Sequence, residues 1–152
     1  MEVTLDLIKK LRAETQCGVS DCRQALVDAD GDYKLAKKIL KDISVRKAAL
    51  KAGKSTSQGI ISSYVHAGGK IGVLVELKCE TDFVARNQQF QSLAHEIALQ
   101  VAATNPQNVT ELLKEISIRD ASMTISEQIK QVIARLGENI TLSRIHRMSL
   151  GE

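Results

Sequence analysis

From Thr4 to about Lys51 the apolar residues recur at helical spacing: Leu5, Ile8 and Leu11, then Cys22, Ala25, Leu26 and Ala29, then Leu35, Ala36, Ile39, Leu40 and Ile43. Residues three or four apart share one side of a helix, so the pattern predicts three helices, each with one stripe to bury. The breaks between them carry their own chemistry. Cys17-Gly18 is suited to ending the first helix, Ser20 or Asp21 to capping the second, and Asp30-Gly31-Asp32 to turning the chain and capping the third.

The stretch Gly53-Lys54-Ser55-Thr56-Ser57-Gln58-Gly59 is small and polar without a hydrophobic period, which marks a boundary. Beyond it the period becomes β-like. Ile60, Ile61, Tyr64 and Val65 form one run, Ile71, Val73, Leu74, Val75 and Leu77 another, and Ala67-Gly68-Gly69-Lys70 between them is a hairpin signal. A helical stretch follows, with Phe90, Leu93, Ala94, Ile97, Ala98 and Val101, and then Pro106, the single proline. Asn108 with Glu111 can cap a short helix, and Thr124 with Glu127 has the capping-box spacing ahead of Ile129, Val132, Ile133 and Leu136. Gly137 closes that helix, after which Ile140, Leu142 and Ile145 suggest a third strand against the hairpin. The predicted fold class is α+β, a three-helix unit over residues 1–52, a linker over 53–58, and over 59–152 a small antiparallel three-stranded sheet packed with helices.

A chain of 152 residues with 43% hydrophobic and 26% charged positions can build a core without disulfides or structural metal, so disordered, collagenous and disulfide-scaffold classes are excluded. No apolar run reaches the roughly 18 residues of a spanning helix, and Met1 to Lys10 lacks the basic start and apolar block of a signal peptide. Three cysteines, Cys17, Cys22 and Cys79, are an odd number in a chain of this size and suit a reducing compartment. A soluble cytoplasmic protein with no membrane contact is expected. The net charge of +3 is small, but residues 1–54 hold 12 Lys/Arg against 8 Asp/Glu, so the basic excess is N-terminal.

Several tempting chemistries are weak. Gly53-Lys54-Ser55 imitates the end of a phosphate-binding loop, yet the first motif glycine would fall at Ala48, and the residues before it read as helix rather than strand. Cys17 and Cys22 lie five apart with no second pair, so no metal site is expected and small buried side chains are. His66, His95 and His146 fall on different elements without a nucleophile or acid partner, so no catalytic residue and no cofactor is assigned and the protein reads as a non-enzyme. The third helix carries Lys34, Lys37, Lys38, Lys41, Arg46, Lys47 and Lys51. Such a face is usually solvated; an RNA-associated module using it is the alternative reading, weakened by the scarcity of aromatic side chains for stacking.

The informative segment is Cys79-Glu80-Thr81-Asp82-Phe83-Val84-Ala85-Arg86-Asn87. Thr81 and Asn87 are both helix-capping residues. If the helix begins at Thr81, Phe83 lies seven residues before Phe90 on the same face and becomes a core side chain, the reading the residues alone favour. If it begins at Asn87, residues 81–86 form a turn that presents Asp82 and Phe83 outward.

"TDFVARN" after an apolar strand resembles the signature of the elongation factor Ts family, nucleotide exchange factors of the translational GTPase elongation factor Tu. "LRAETQCGVSDCRQAL" resembles that family's ubiquitin-associated-like helical module in Leu11, Arg12, Thr15, Gly18, Asp21, Cys22, Ala25 and Leu26, and "GENI" at 137–140 matches a third stretch. The likeness runs from about residue 3 to 148. It implies a helical module docking on the GTPase through Arg12, Val19 and Ser20, and a loop, Thr81, Asp82, Phe83 and Val84, that reaches the magnesium side of the nucleotide pocket. The resemblance therefore turns Phe83 outward. Long family members carry a second core subdomain, a coiled coil and a C-terminal module that this chain lacks; the short members it resembles suggest a homodimer through the core sheets. No direct nucleic-acid partner is implied.

Overall fold

In the computed structural model, which describes residues 2–152, the apolar stripes become helices α1 (Leu5–Thr15), α2 (Val19–Asp28) and α3 (Tyr33–Lys51). Their buried sides meet in one cluster built on Ile8, Leu11, Cys22, Ala25, Leu26, Ala36 and Leu40. Asp32 caps α3 as expected, accepting a hydrogen bond from the Leu35 amide at 3.0 Å. The α1–α2 junction differs from the expectation. Gln16, not Gly18, takes the left-handed turn (φ 54°) and donates its amide to Arg12 O, while Gly18 is the N-cap of α2. Ser20 and Asp21 thus fall inside the first turn of α2, where the Asp21 carboxylate still meets the positive end of the helix and pairs with Lys47 Nζ at 2.7 Å.

Strands β1 (Gln58–Val65), β2 (Ile71–Cys79) and β3 (Ile140–Ser149) form an antiparallel sheet in the order β1-β2-β3. The strand period places Val73, Val75, Leu77 and Cys79 on one face, and these are buried. On that face lies α5 (Gln88–Thr104), which contributes Phe90, Leu93, Ala94, Ile97 and Val101 to the same cluster. β3 keeps Ile140, Leu142 and Ile145 on the inner side although 142 and 145 are three apart. A register shift opposite Glu76/Leu77 pairs Leu77 with Leu142 and Glu76 with Arg144, so Ser143 is the extra residue of a bulge and the alternation resumes one position later.

Between α5 and β3 lie α6 (Val109–Lys114), capped by Asn108, and α7 (Ile125–Leu136), opened by the expected Thr124/Glu127 capping box and closed by Gly137 at φ 73°. Gln100, fully buried on α5, satisfies the irregular segment between them. Its amide donates to Ile116 O and Glu115, and its oxygen accepts from the Ile118 amide at 2.8 Å. Among the described residues the fold is thus seven helices and one three-stranded antiparallel sheet, an α+β architecture.

The two hydrophobic clusters are joined through α3 and α7. Ala36 and Leu40 of α3 face the first cluster, whereas Ala48, further along the same helix, belongs to the second. Lys41 Nζ bonds Glu127 at 3.1 Å, and the half-buried Arg135 of α7 donates to Thr15 O at the end of α1. Arg46 is solvated, but Lys37, Lys41 and Lys47 of the basic helix are ion-paired to Glu14, Glu127 and Asp21 within the chain.

At the start of β1, Gly59 adopts φ +151°, and a Cβ there would stand 2.2 Å from Leu77 O and 2.7 Å from Lys78 Cα. Both neighbours are backbone of the central strand, so relief requires the sheet itself to move. Gly59→Ala is expected to lower unfolding free energy by about 1–3 kcal/mol in urea titration; an unchanged midpoint would mean that this strand end is not held in place.

Candidate functional site

The chain must pass from Cys79, the end of β2 at one side of the core, to Gln88, the start of α5. It does so with two caps in succession. Thr81 caps the short helix α4 (Asp82–Ala85), its hydroxyl accepting from the Val84 amide at 3.3 Å. Asn87 then caps α5, accepting from the Gln89 amide at 2.8 Å. Both capping positions visible in the sequence are used. The seven-residue relation between Phe83 and Phe90 therefore fails, because the chain breaks helix at Arg86 and Asn87 and the angular count restarts.

Within α4 successive residues point about 100° apart. Val84 and Ala85 turn into the core, at 5% and 3% exposure, and Phe83 is left in solvent at 83%. The core reading of Phe83 is thereby corrected: one aromatic ring stands outside, while Phe90, its would-be neighbour, is completely buried. Asp82 also lies outside, paired with Arg86 one turn on. That pair is exposed and so contributes little to stability and yields easily to a competing charge. Of the four loop residues, Val84 is placed in the core and acts as the loop's anchor rather than as a free surface.

Thr81 is held at every polar atom. Its amide donates to Glu138 Oε1 at 3.0 Å and its hydroxyl to Glu138 Oε2 at 2.7 Å. Its carbonyl accepts from the Ala85 amide and from the Cys79 thiol at 3.1 Å. Burial is the main cause that pushes the Cys79 thiol up from its ordinary pKa, which keeps it protonated and able to donate. The neighbouring Glu80 accepts from the Asn139 amide at 2.9 Å, and the Asn139 side chain donates to Lys54 O at 2.8 Å and Ala52 O at 3.4 Å. The Gly-Glu-Asn-Ile stretch thus acquires a residue-by-residue account. Gly137 ends α7, Glu138 clamps the loop, Asn139 fastens the segment after α3, and Ile140 enters the core.

Arg12 sits in the last turn of α1, and Val19 and Ser20 open α2; all three are exposed. Cys22 is buried and Cys17 partly so, and among the described residues no group of three metal-ligating side chains converges. The histidines, assigned to separate elements, are partly brought together. Tyr64 bonds His66 Nδ1 at 2.9 Å and meets the His95 ring edge-on, whereas His146 lies on β3. The clamp residues Glu138 and Asn139 escaped sequence reasoning because they act on partners 57 and more positions away.

The candidate site is therefore an exposed aromatic and an acid on a turn held by hydrogen bonds at Thr81 and by the buried Val84. The profile of the family described as "Elongation factor TS" matches residues 80–152. The elongation factor Ts of Fervidobacterium nodosum is 38% identical over 197 aligned positions covering 100% of both chains. That of Oleidesulfovibrio alaskensis is 39% identical over 98% of each, and the chloroplastic elongation factor Ts of Guillardia theta is 38% identical over 100% of this chain and 90% of its own. The chain belongs to the elongation factor Ts family, translation factors whose role is nucleotide exchange on elongation factor Tu.

The opposite burial of adjacent residues yields a direct test. Val84→Ala is expected to lower stability by about 2 kcal/mol, and Phe83→Ala to change it by no more than about 0.5 kcal/mol, both read from chemical denaturation followed by circular dichroism. Equal losses would place the Phe83 ring inside the fold.

Proposed function

We propose that this chain accelerates GDP release from elongation factor Tu by bringing Asp82 and Phe83, on the turn between β2 and α5, to the magnesium side of the GTPase's nucleotide pocket. The observation that carries the reading is the pairing of an exposed Phe83 ring with a backbone fixed through Thr81 and Val84. A wedge needs both properties. A mobile ring would lose its gain to ordering, and a buried one would reach nothing.

The chemistry follows from the partner's metal. Magnesium in such a pocket keeps a near-ideal octahedron of phosphate, protein and water oxygens, so displacing part of that shell weakens nucleotide binding. Burial of the Phe83 ring against the partner contributes about 1.5 to 3 kcal/mol. This drives release only because the contact is better in the nucleotide-free state, since equal affinity for both states shifts nothing. By linkage, GDP weakens the factor's grip by the same ratio, so incoming nucleotide expels it. The chain itself makes and breaks no covalent bond, and no direct nucleic-acid contact is required.

On this reading residues 1–52 dock on the GTPase through Arg12, Val19 and Ser20, residues 53–58 link, and residues 59–152 work the pocket, all in the cytoplasm. No helix among the described residues is long and apolar enough to cross a membrane. Stopped-flow release of a fluorescent GDP analogue from elongation factor Tu tests the scheme. Phe83→Ala is expected to slow release at saturating factor by more than tenfold, Asp82→Ala by less, and Arg12→Ala to raise the half-saturating concentration more than it lowers the maximal rate. A Phe83 variant that releases GDP at the normal rate would end the proposal.

We also infer that two copies pair through the outer face of the sheet. Registered across it are Val65, Gly72 and Met148, then Ser63, Leu74 and His146, then Ile61, Glu76 and Arg144. Ile61, Val65, Leu74 and Met148 are exposed, an apolar surface on one side of a sheet whose other side is covered by α5. Light scattering at micromolar concentration is expected to give about twice the 16.6 kDa chain mass, and Leu74→Glu to return it to one; a monomer of the unaltered chain would remove the inference.

A further inference from the structure

We propose that Glu138 is a positioning residue for nucleotide exchange, a carboxylate latch that sets the angle at which the β2–α5 turn presents Phe83; the inference rests on the exchange role assigned to that turn. Both Glu138 oxygens are committed to the same residue, one to the Thr81 amide at 3.0 Å and the other to the Thr81 hydroxyl at 2.7 Å. A two-point grip fixes orientation as well as distance, which a single bond does not.

The second bond also determines the cap. A hydroxyl has one proton to donate. With that proton directed to Glu138 Oε2, the oxygen's lone pairs face the Val84 amide, which it accepts at 3.3 Å. Carboxylate, hydroxyl and amide thus form a chain in which each bond polarises the next, at the cap that opens α4, a single turn of four residues. Glu138 itself follows Gly137, the closing residue of α7, and precedes the buried Asn139 and Ile140, so the latch stands on the rigid side of the junction. The turn is the part that it orients. Glu138 reaches neither Phe83 nor Asp82 directly; its effect passes through Thr81.

Removing the latch should therefore act on the efficiency of the wedge more than on assembly of the complex or on global stability. In the GDP-release assay, with the full chain and elongation factor Tu carrying a fluorescent GDP analogue, Glu138→Ala is expected to lower the maximal release rate about tenfold while the half-saturating concentration changes less than twofold. Glu138→Gln keeps one acceptor and should fall between. Amide hydrogen exchange should show faster exchange at residues 81–86 in Glu138→Ala with α5 protection unchanged. If Glu138→Ala does not fold, the same comparison is made with Glu138→Gln and Thr81→Val, whose effects should be less than additive in the double variant. An unchanged maximal rate, or a rate that falls only in step with thermal stability, overturns the inference. Phe83→Ala run alongside separates the two claims. If it is slow while Glu138→Ala is normal, the latch fails and the wedge stands; if Phe83→Ala is itself normal, the exchange reading fails with it.

Discussion

The packing of α5 across the inner face of the sheet is the constraint from which the rest follows. Val73, Val75 and Leu77 must meet Phe90, Leu93, Ile97 and Val101, and the connection from β2 to α5 is short. Such a connection cannot be an extended loop; it has to reverse direction while satisfying its own backbone groups. Two caps and a single turn of helix achieve this, and Val84 and Ala85 extend the core beneath the turn. Once those two are inside, helical geometry leaves Phe83 no inward direction. The exposed ring is thus a product of how the core closes.

Much of the fold was legible because its signals are local. Asp32, Asn108 and the Thr124/Glu127 pair cap the helices they were expected to cap, and the Gly68-Gly69 joint turns the hairpin. The β-like run from Ile71 to Leu77 is the strand β2, and the irregular spacing of Leu142 and Ile145 proved to be a bulge. The misjudged places are those where a residue's intrinsic preference was overridden. Gly18 invites a left-handed turn, yet Gln16 adopts it, because α1 ends where Gln16 donates to Arg12 O and the glycine is then free to start α2.

Phe83 marks the limit of periodic reasoning. Counting seven residues to Phe90 presumes one unbroken helix, and no local feature of the segment says that both Thr81 and Asn87 will be used. The resemblance to a family supplied the direction that spacing did not. Other features were out of reach because they are made between distant parts of the chain, such as the ties of Gln100 to the segment before α7 or of Arg135 to the end of α1. The relatives align over a span longer than this chain, so they carry internal segments it does without.

Asn139 has a mechanical consequence. By gripping the carbonyls of Ala52 and Lys54 while its own amide is held by Glu80, it welds the stem of the helical bundle to the root of the protruding turn. The molecule is in that respect a caliper with a locked joint. On the docking proposed above, a GTPase held by one jaw would find the other already at its set span, so the second touch would be effectively intramolecular and would escape the entropic toll of a new encounter. The same stiffness would make letting go shared, since loosening at either jaw would loosen both.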